Sequence, residues 1–449
     1  MTLAFSSAET SPYVRALLAD QGIAEGSLDL AVDSRDEMLS FLVQSHDGDR
    51  ERALFSYFRS GLSIADSMGQ ILRWRFGGAV RLLDFASGYG RVTRFFLRDT
   101  PPERVWVSDV YADGVRFQEE RFGVHGIVST VRPEDFVCPS DTRFDAITVT
   151  SLFTHLPDER FVGWLRVLFG LLRPGGVLVF SVHGPEVLAP GQSIPDDGIL
   201  FQKLSESASL DTSDYGSTWV TEDFVRAAVA RAADGPVSVH RLPRGLCNFQ
   251  DLYVAVRDKG VDFSGLAFQG EPELQIDECS LAGPDALRLR GWALVRAGEV
   301  RQVEVTLDGA LLASAPVDAP RPDVAALFGD RFSHPGWSCV CKLPPDAPRR
   351  EAALIVRVVD ARGRAQPLWA SSIEGALLHS SRQEVAHLQM VTADLQARLT
   401  LAEAQAAADR AGFEARIAAM EASRFWKLRT AWFRVRETLG IREKGMRRR

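Results

Sequence analysis

The stretch LLDFASGYGRVTRFF, from Leu82 to Phe96, decides the fold, because an apolar run leads through a glycine turn into a helical pattern. The apolar run is typical of a buried strand that ends at Asp84. Gly88 and Gly90 allow a tight turn, and apolar residues then recur at helical spacing. The N-terminus of a helix has unpaired amides and a positive dipole. We therefore expect a ligand to bind where this strand turns into the helix.

The chain around this stretch alternates apolar strand patterns with helical ones, which is typical of an α/β, doubly wound Rossmann-like sheet of parallel strands. Seven strands are predicted at 80–85, 104–109, 126–131, 144–150, 176–182, 236–242 and 250–256. Helices are predicted at 90–98, 112–121, 158–172 and 221–232. The segment 184–218 is rich in Gly, Pro, Ser and Asp and is long for a loop, so we expect it to form a lid.

The regions on either side of this sheet domain, 79–260, have other patterns. Residues 1–78 show apolar spacings of three and four, which predicts a helical cap in which Ser34 and Asp36 begin a helix and Gly61 interrupts one. Short alternating runs predict an Ig-like β-sandwich over 270–375. An Ala/Glu/Arg-rich segment, 380–422, predicts a coiled coil, for which a solvated single helix is the alternative.

Charge is distributed unevenly along the 449 residues, whose net charge is −7. From Arg424 to Arg449 there are ten Lys or Arg and two Glu, with apolar residues at spacings of three and four. The acidic body argues against nucleic-acid binding, and the basic amphipathic tail, 423–449, predicts either contact with an anionic membrane surface or ordinary packing. Five cysteines without metal-site spacing predict no metal and a reducing cytoplasm. Neither a secretion signal nor a membrane span is predicted.

The glycine turn alone does not distinguish nicotinamide, flavin and S-adenosylmethionine sites. A dinucleotide motif requires glycines where Ala86 and Arg91 stand, so an NAD-dependent oxidoreductase acting on a nucleotide sugar is disfavoured. Asp109 ends the second predicted strand, 25 positions after Asp84, where a carboxylate can accept hydrogen bonds from ribose hydroxyls. The alternative role of Asp109 is to cap the helix that follows.

Four segments in this order, LLDFASGYGR, VSDV, FDAITVTSLFTHLPDERF and LLRPGGVLVFSVHG, resemble the motifs of the class I S-adenosylmethionine-dependent methyltransferases. The resemblance implies a methyltransferase whose cofactor is S-adenosyl-L-methionine, with Asp109 at the ribose and Glu134 or Asp135 at the adenine amine. Ala86 stands where the family more often has a glycine. The implied cofactor contacts are Asp84, Ala86, Ser87, Gly88, Gly90, Asp109, Glu134, Asp135 and Ser151.

Methyl transfer requires that acceptor, methyl group and sulfur are aligned and that the acceptor loses a proton. His183 and His155 follow predicted strands at the carboxyl edge of the sheet, so each is a candidate general base. The alternatives are a loop histidine bonded to the backbone for His183, and a residue that orients the next helix for His155. Candidate lid or acceptor contacts, for which ordinary packing is the alternative, are Tyr57, Gly61, Tyr215 and Trp219.

The motifs TSLFTHLP, VFSVHG and QDLYVAVR resemble methyltransferases of bacterial surface-polysaccharide assembly, and LRGWALVRAGEVRQVEVTLDG resembles a β-sandwich module attached to bacterial glycosyltransferases. These resemblances imply O-methylation of a sugar in a surface glycan or a lipid-linked precursor. They also imply glycosyltransferase partners and a place in the cytoplasm at the inner face of the membrane. The coiled coil implies a homo-oligomer. The alternative function is a non-catalytic scaffold of glycan assembly that keeps the fold only as a platform.

Overall fold

The computed structural model describes residues 8–78, 80–139, 142–204, 210–296, 298–422 and 424–438. They fall into two compact units, Met1–Ser380 and Ser381–Arg449. The first unit contains the helical cap, the large sheet and the smaller β-sheets. The second unit is helical in its described part.

The cap consists of three helices, α1 (Pro12–Asp20), α2 (Glu37–Ser45) and α3 (Arg50–Phe76). The predicted helix start at Asp36 is confirmed, because its side chain accepts the N–H groups of Met38 and Leu39 at the N-terminus of α2. Ser34 does not cap a helix, since it precedes α2 by three positions. The helical pattern ahead of Asp36 does not form a helix. Asp29 and Asp33 instead bind backbone N–H groups two residues on, which favours turns.

Gly61 does not interrupt the second predicted cap helix. α3 runs without a break through Gly61, and a Cβ at this position would lie 2.3 Å from the backbone oxygen of Arg91. The missing side chain therefore allows the cap to approach the backbone of the glycine turn closely. The prediction of a break at this glycine is wrong, because close packing rather than a turn requires the glycine.

The sheet domain contains all seven predicted strands in a single sheet. Its elements are β1 (Leu82–Phe85), α4 (Thr93–Phe96), β2 (Val105–Asp109), α5 (Ala112–Phe122), β3 (His125–Val128), β4 (Phe144–Val149), α6 (Asp158–Leu171), β5 (Leu172–Val182), β6 (Ile199–Gln202), β7 (Ser217–Val220), α7 (Glu222–Ala232), β8 (Ser238–Leu246) and β9 (Gln250–Val256). The strand order is β3-β2-β1-β4-β5-β9-β8, and β9 is antiparallel to both of its neighbours. The sheet is therefore mixed, which corrects the prediction of an all-parallel sheet.

Apolar layers cover the two faces of this sheet. On one face, Leu82 and Val179 pack in a core that includes the cap helices. On the other face, Leu83 and Phe180 pack with α6 and α7. Successive side chains of a strand point to opposite faces, so each central strand contributes to both layers. The predicted lid segment contains a two-stranded hairpin, β6 with β7.

The C-terminal part of the first unit holds two antiparallel sheets. Its elements are β10 (Pro272–Gly283), β11 (Ala286–Val295), β12 (Val300–Leu307), β13 (Ala310–Pro316), α8 (Pro322–Phe328), β14 (Gly336–Lys342), β15 (Leu354–Asp360), β16 (Ala365–Ser371) and α9 (Ile373–Leu377). The sheets β10-β11-β14 and β13-β12-β15-β16 contribute side chains such as Leu289 and Val305 to one core. The Ig-like classification stays a prediction.

These sheets also pack on the cap. Arg357 of β15 forms an ion pair with Asp20 at the end of α1, and Gln21 donates to the carbonyl of Ala365 at 2.8 Å. Ile355 and Ala370 belong to the same apolar core as the cap helices. The cap therefore contacts both the large sheet and the smaller ones.

The second unit consists of most of α10 (His379–Ala422) and of α11 (Arg424–Thr438). Several of its apolar side chains, among them Leu395 and Ile417, are more than half exposed in the single chain. The coiled coil stays a prediction. Of the predicted tail, residues 424–438 form α11, whereas Ser423 and the residues from Leu439 onwards lie outside the described residues. Among the helices described, none is both long and apolar enough to cross a membrane.

Candidate active site

A cavity of about 450 Å³ opens at the carboxyl ends of β1, β2 and β4, next to the glycine turn. The cap lines one side of it and the predicted lid lines another. The described residues that line it are 35–38, 84–89, 91–92, 109–111, 129–131, 150–152, Leu156, Trp164, Leu210, Asp211, Asp214 and Tyr215. Ligand pockets typically have volumes of about 300–1,000 Å³, so this cavity has room for a nucleoside cofactor.

The turn after β1 has a backbone that favours glycine. Ala86, Gly88 and Gly90 have φ values of 60°, 56° and 78°, in the left-handed region. The N–H groups of Ala86 and Ser87 both donate to the carbonyl of Ser108 in β2, at 2.8 and 3.2 Å. Ala86 is therefore held in a left-handed conformation that glycine adopts without strain, at a cost of about 1 kcal/mol.

Gly90 does not line the cavity, although it is one of the predicted cofactor contacts. A Cβ at this position would lie 2.4 Å from Phe122 and 2.8 Å from the side-chain oxygen of Gln118. The structure thus explains Gly90 by packing of the turn against α5. Gly88 and Ser87 do line the cavity, and their backbone faces the space where a cofactor would lie.

Two buried carboxylates stand at the ends of β1 and β2. Asp84 is 2% exposed and accepts hydrogen bonds from the hydroxyls of Thr93 at 2.7 Å and Thr148 at 3.3 Å. Burial raises the pKa of Asp84 to about 7. Asp109 is also buried, and it accepts the N–H groups of Gly88 at 2.7 Å and Tyr111 at 3.0 Å. Asp109 therefore holds the glycine turn as well as facing the cavity.

The two predicted adenine contacts, Glu134 and Asp135, do not lie in the cavity. Both side chains are exposed, and neither is among the described residues that line the cavity. Glu134 instead forms an ion pair with Arg160 at 3.2 Å. The reason is that β3 ends at Val128, three positions earlier than predicted, so the residues at the sheet edge are 129–131. Adenine contacts from Glu134 or Asp135 therefore stay a prediction to which the geometry lends no support.

Ser151 lines the cavity just after β4 and has a φ of 61°. Its N–H group donates to the hydroxyl of Ser181 at 2.8 Å, and its own hydroxyl is hydrogen-bonded to Gln250. These contacts hold a non-glycine residue in a left-handed conformation, which is typical of functional sites.

The two candidate histidines are not among the described residues that line the cavity, although His155 stacks on Tyr215, which does line it. Burial lowers the pKa of His183 to about 4, so its imidazole is neutral at pH 7. Its ring lies between the side chains of Trp219 and Phe249, and its Nδ1 atom is buried with no hydrogen bond to any described residue. His155 donates from Nδ1 to the carbonyl of Gly216 at 2.7 Å.

The lid is attached to the sheet edge through this second histidine. The ring of His155 stacks on Tyr215 with 4.4 Å between centroids, and Gly216 donates its N–H to the carbonyl of His155 at 2.8 Å. Thr218 donates its N–H to the carbonyl of Thr154 at 2.7 Å. The predicted contact Tyr215 lines the cavity, whereas Trp219 of β7 is not among its lining residues.

The remaining predicted contacts, Tyr57 and Gly61, are not among the described lining residues but contact residues that are. Tyr57 is fully buried and donates its hydroxyl to Asp36 Oδ2 at 2.6 Å. Asp36 itself lines the cavity, together with its neighbours in the cap. Sequence reasoning recognised Asp36 only as a helix cap. The contributions of Arg35 and Asp211 had no motif that could have indicated them, whereas Tyr89 lies within the motif of the glycine turn.

Residues 83–178 match a family model described as a methyltransferase domain. No curated protein matches the chain. Among solved structures, the chain is similar to CalS10 of Micromonospora echinaspora, an amino pentose methyltransferase with bound S-adenosylmethionine, at 19% identity over 44% of this chain and 92% of that one, with a TM-score of 0.33. It is also similar to DesVI of Streptomyces venezuelae, at 17% identity over 51% and 100% of the two chains, with a TM-score of 0.35.

The chain therefore carries a methyltransferase domain in residues 83–178, and the predicted S-adenosylmethionine-dependent methyltransferase is confirmed. Its cofactor is S-adenosyl-L-methionine. The cavity fits this group, because Asp109 can accept hydrogen bonds from ribose hydroxyls and the buried carboxylates suit a cation. The bound cofactor supplies a methyl group that its sulfonium centre has already activated.

Proposed function

We propose that this chain transfers the methyl group to a sugar hydroxyl of a bacterial cell-surface glycan or of its lipid-linked precursor. The observation that carries the proposal is a set of polar side chains from the cap and the lid that line the cavity. They are Arg35 from the cap and Asp211, Asp214 and Tyr215 from the lid. Such side chains can donate to and accept from the hydroxyls of a sugar.

The residues of the chain would align the acceptor and exclude water. Tyr215 and Leu210 would cover the acceptor when the lid is in place, and the His155 contacts hold Tyr215 there. His183 stays a candidate general base, because its imidazole is neutral at pH 7. Burial lowers its pKa to about 4, which also makes it a weaker base than an exposed histidine.

The test uses surface glycan from a strain that lacks this chain. The glycan is incubated with the purified chain and S-adenosylmethionine carrying a labelled methyl group, and its mass is analysed. We expect label in the sugar and a mass increase of one CH₂ group. Methyl transfer to protein or lipid but not to the glycan would contradict the proposed acceptor. Absence of cofactor binding would contradict the activity itself.

We further propose that α10 forms a coiled coil between copies of the chain and holds glycosyltransferase partners nearby. Leu388, Leu395 and Leu399 are each more than half exposed in the single chain, and such a stripe can be buried in a helix pair. Sedimentation analysis should give an oligomer that becomes a monomer when residues 381–449 are removed. An unchanged mass would contradict the proposal.

We propose a peripheral contact between α11 and the inner face of the membrane. Phe425, Leu428 and Trp432 are more than half exposed, and Arg429 packs over the rings of Trp426 and Phe433. Each basic residue near an anionic leaflet adds about 1 kcal/mol to binding. The chain should cosediment with vesicles containing phosphatidylserine but not with neutral ones. Unchanged binding after truncation at Ala422 would contradict this role of the tail.

A further inference from the structure

Two residues of opposite charge line the cavity beside the glycine turn, and neither belongs to the predicted cofactor set. Asp36 precedes α2 and is 6% exposed. Arg91 directly follows Gly90 and is half-buried. Charged groups with so little access to water normally have a partner of opposite charge.

Within the described part of the chain, Asp36 has only neutral hydrogen-bond donors. Its Oδ2 atom accepts the hydroxyl of Tyr57 at 2.6 Å, and its Oδ1 atom accepts the N–H of Met38 at 2.9 Å. Each carboxylate oxygen can accept a second hydrogen bond. Capping of α2 explains why Asp36 accepts these N–H groups, but it does not explain why a charged side chain lines the cavity.

Arg91 likewise forms no ion pair with any described residue. Its Nη1 atom donates to the hydroxyl of Ser60 at 2.8 Å, and its backbone carbonyl lies against Gly61. Ser60, Gly61 and Tyr57 are all residues of α3. The same helix therefore holds both unpaired charges at the cavity, which gives them a fixed spacing.

The two charges lie close to the carboxylates at the strand ends. The positive charge of Arg91 lowers the pKa of Asp84, against the larger effect of burial, which raises it. The negative charge of Asp36 adds to burial in raising the pKa of Asp109. Asp36 and Arg91 therefore lie at the part of the cavity that adjoins β1 and the glycine turn. The methionine end of the cofactor, which carries an α-ammonium and an α-carboxylate, has the complementary charges.

We propose that Asp36 binds the α-ammonium of S-adenosylmethionine and that Arg91 binds its α-carboxylate. The cap would then be part of the cofactor site as well as a cover for the sheet. Arg91 occupies the position where a dinucleotide motif has its third glycine. The side chain that disfavours a dinucleotide would therefore bind S-adenosylmethionine. This inference rests on the proposed function only in that the cofactor is S-adenosylmethionine, and it does not depend on the acceptor.

Calorimetric titration of the full chain with three ligands tests both contacts. S-adenosylmethionine has both charged groups, its decarboxylated form keeps only the amine, and methylthioadenosine has neither. Arg91→Gln should weaken binding of S-adenosylmethionine by about ten- to a hundred-fold and leave the other two ligands unchanged. Asp36→Asn should weaken S-adenosylmethionine and its decarboxylated form by a similar factor, and should leave methylthioadenosine unchanged.

The substitutions are chosen to keep the fold. Asn is as good an N-cap as Asp, so Asp36→Asn preserves the start of α2. Asp49→Asn, at the N-cap of α3, and Arg98→Gln, on the surface after α4, are matched controls away from the cavity, and both should bind all ligands as the wild type does.

Three results would overturn the inference. Unchanged affinity of both variants for S-adenosylmethionine would show that the contacts are absent. An equal loss for methylthioadenosine would show general damage to the site rather than lost ion pairs. A loss of affinity for the decarboxylated ligand in Arg91→Gln would show that Arg91 does not bind the carboxylate. If the wild type itself bound none of the ligands, the proposed methyl transfer would fail instead.

Discussion

Replacement of Gly61 by Ala tests the close contact between the cap and the glycine turn. The added Cβ would lie 2.3 Å from the carbonyl oxygen of Arg91 and 3.1 Å from Phe95. The near atom is backbone, which cannot rotate away, so α3 or the turn must move by about 1 Å to restore normal contact distances. Such overpacking costs about 1–3 kcal/mol. The gain in helix propensity from Gly to Ala offsets about 1 kcal/mol of this cost.

Gly69, two turns further along α3, is the matched control. A Cβ there would meet the guanidinium tip of Arg73 at 3.0 Å, and this flexible end can rotate away. Gly69→Ala should therefore stabilise the chain by up to about 1 kcal/mol through helix propensity alone. The two substitutions are chemically identical and lie in one helix, so their difference isolates the contact with Arg91.

Denaturant unfolding and calorimetric titration with S-adenosylmethionine measure the two effects. We expect Gly61→Ala to be less stable than Gly69→Ala by about 1–3 kcal/mol. We also expect it to bind the cofactor more weakly, because the displaced backbone belongs to the turn. If both variants were equally stable and bound the cofactor equally well, the close approach of α3 to the turn would be refuted.

Three further predictions concern the turn and the lid. Burial raises the pKa of Asp84 from 3.8 to about 7, so between these pH values the folded chain retains a proton that the unfolded chain releases. The free energy of unfolding should therefore fall from about pH 4 to about pH 7. Thermal unfolding of Asp84→Asn should lack this part of the pH dependence, and a pH slope identical to that of the wild type would contradict the prediction. Ala86→Gly should raise the free energy of unfolding by about 0.5–1 kcal/mol, because glycine adopts a positive φ without strain; a less stable variant by denaturant unfolding would refute this. His155→Ala removes the hydrogen bond to Gly216 and the stacking on Tyr215, so limited proteolysis should cut the lid faster, and an unchanged rate would mean that the histidine does not hold it.

The strands of the large sheet were predictable because their apolar runs are short and are bounded by turn residues. The direction of β9 was not, since QDLYVAV is buried almost throughout and would look the same in either direction. The antiparallel pairing depends on the connection from β8, which sequence periodicity does not describe.

The glycine turn was predicted correctly in its position, but the helix after it was predicted too long. Phe95 and Phe96 have helical spacing, yet α4 has only four residues, Thr93–Phe96, and its N-terminus has no side-chain cap. The burial of both aromatic rings explains the apolar pattern without a long helix. Periodicity thus identified which residues are buried but not the length of the element.

The candidate site was predictable only where its residues adjoin strand ends. Asp84 and Asp109 lie at the ends of β1 and β2, Ser151 follows β4, and all three line the cavity. Asp36 reaches the same cavity from a separate region of the chain, where the local sequence indicates only a helix cap. The orientation of His155 depends on Gly216, 61 positions later, and such a contact leaves no trace in the local pattern.

The cofactor site at the ends of β1 and β2 can be tested by calorimetric titration of S-adenosylmethionine into the full chain, its Asp109→Asn variant and its Asp135→Asn variant. Asp109 lines the cavity, whereas Asp135 lies outside its described lining. We expect the wild type to bind the cofactor, Asp109→Asn to bind it at least about ten-fold more weakly, which is about 1.4 kcal/mol, and Asp135→Asn to bind it as the wild type does. A wild type that does not bind the cofactor, or an Asp109→Asn variant that binds it equally well, would contradict a cofactor site at this edge of the sheet.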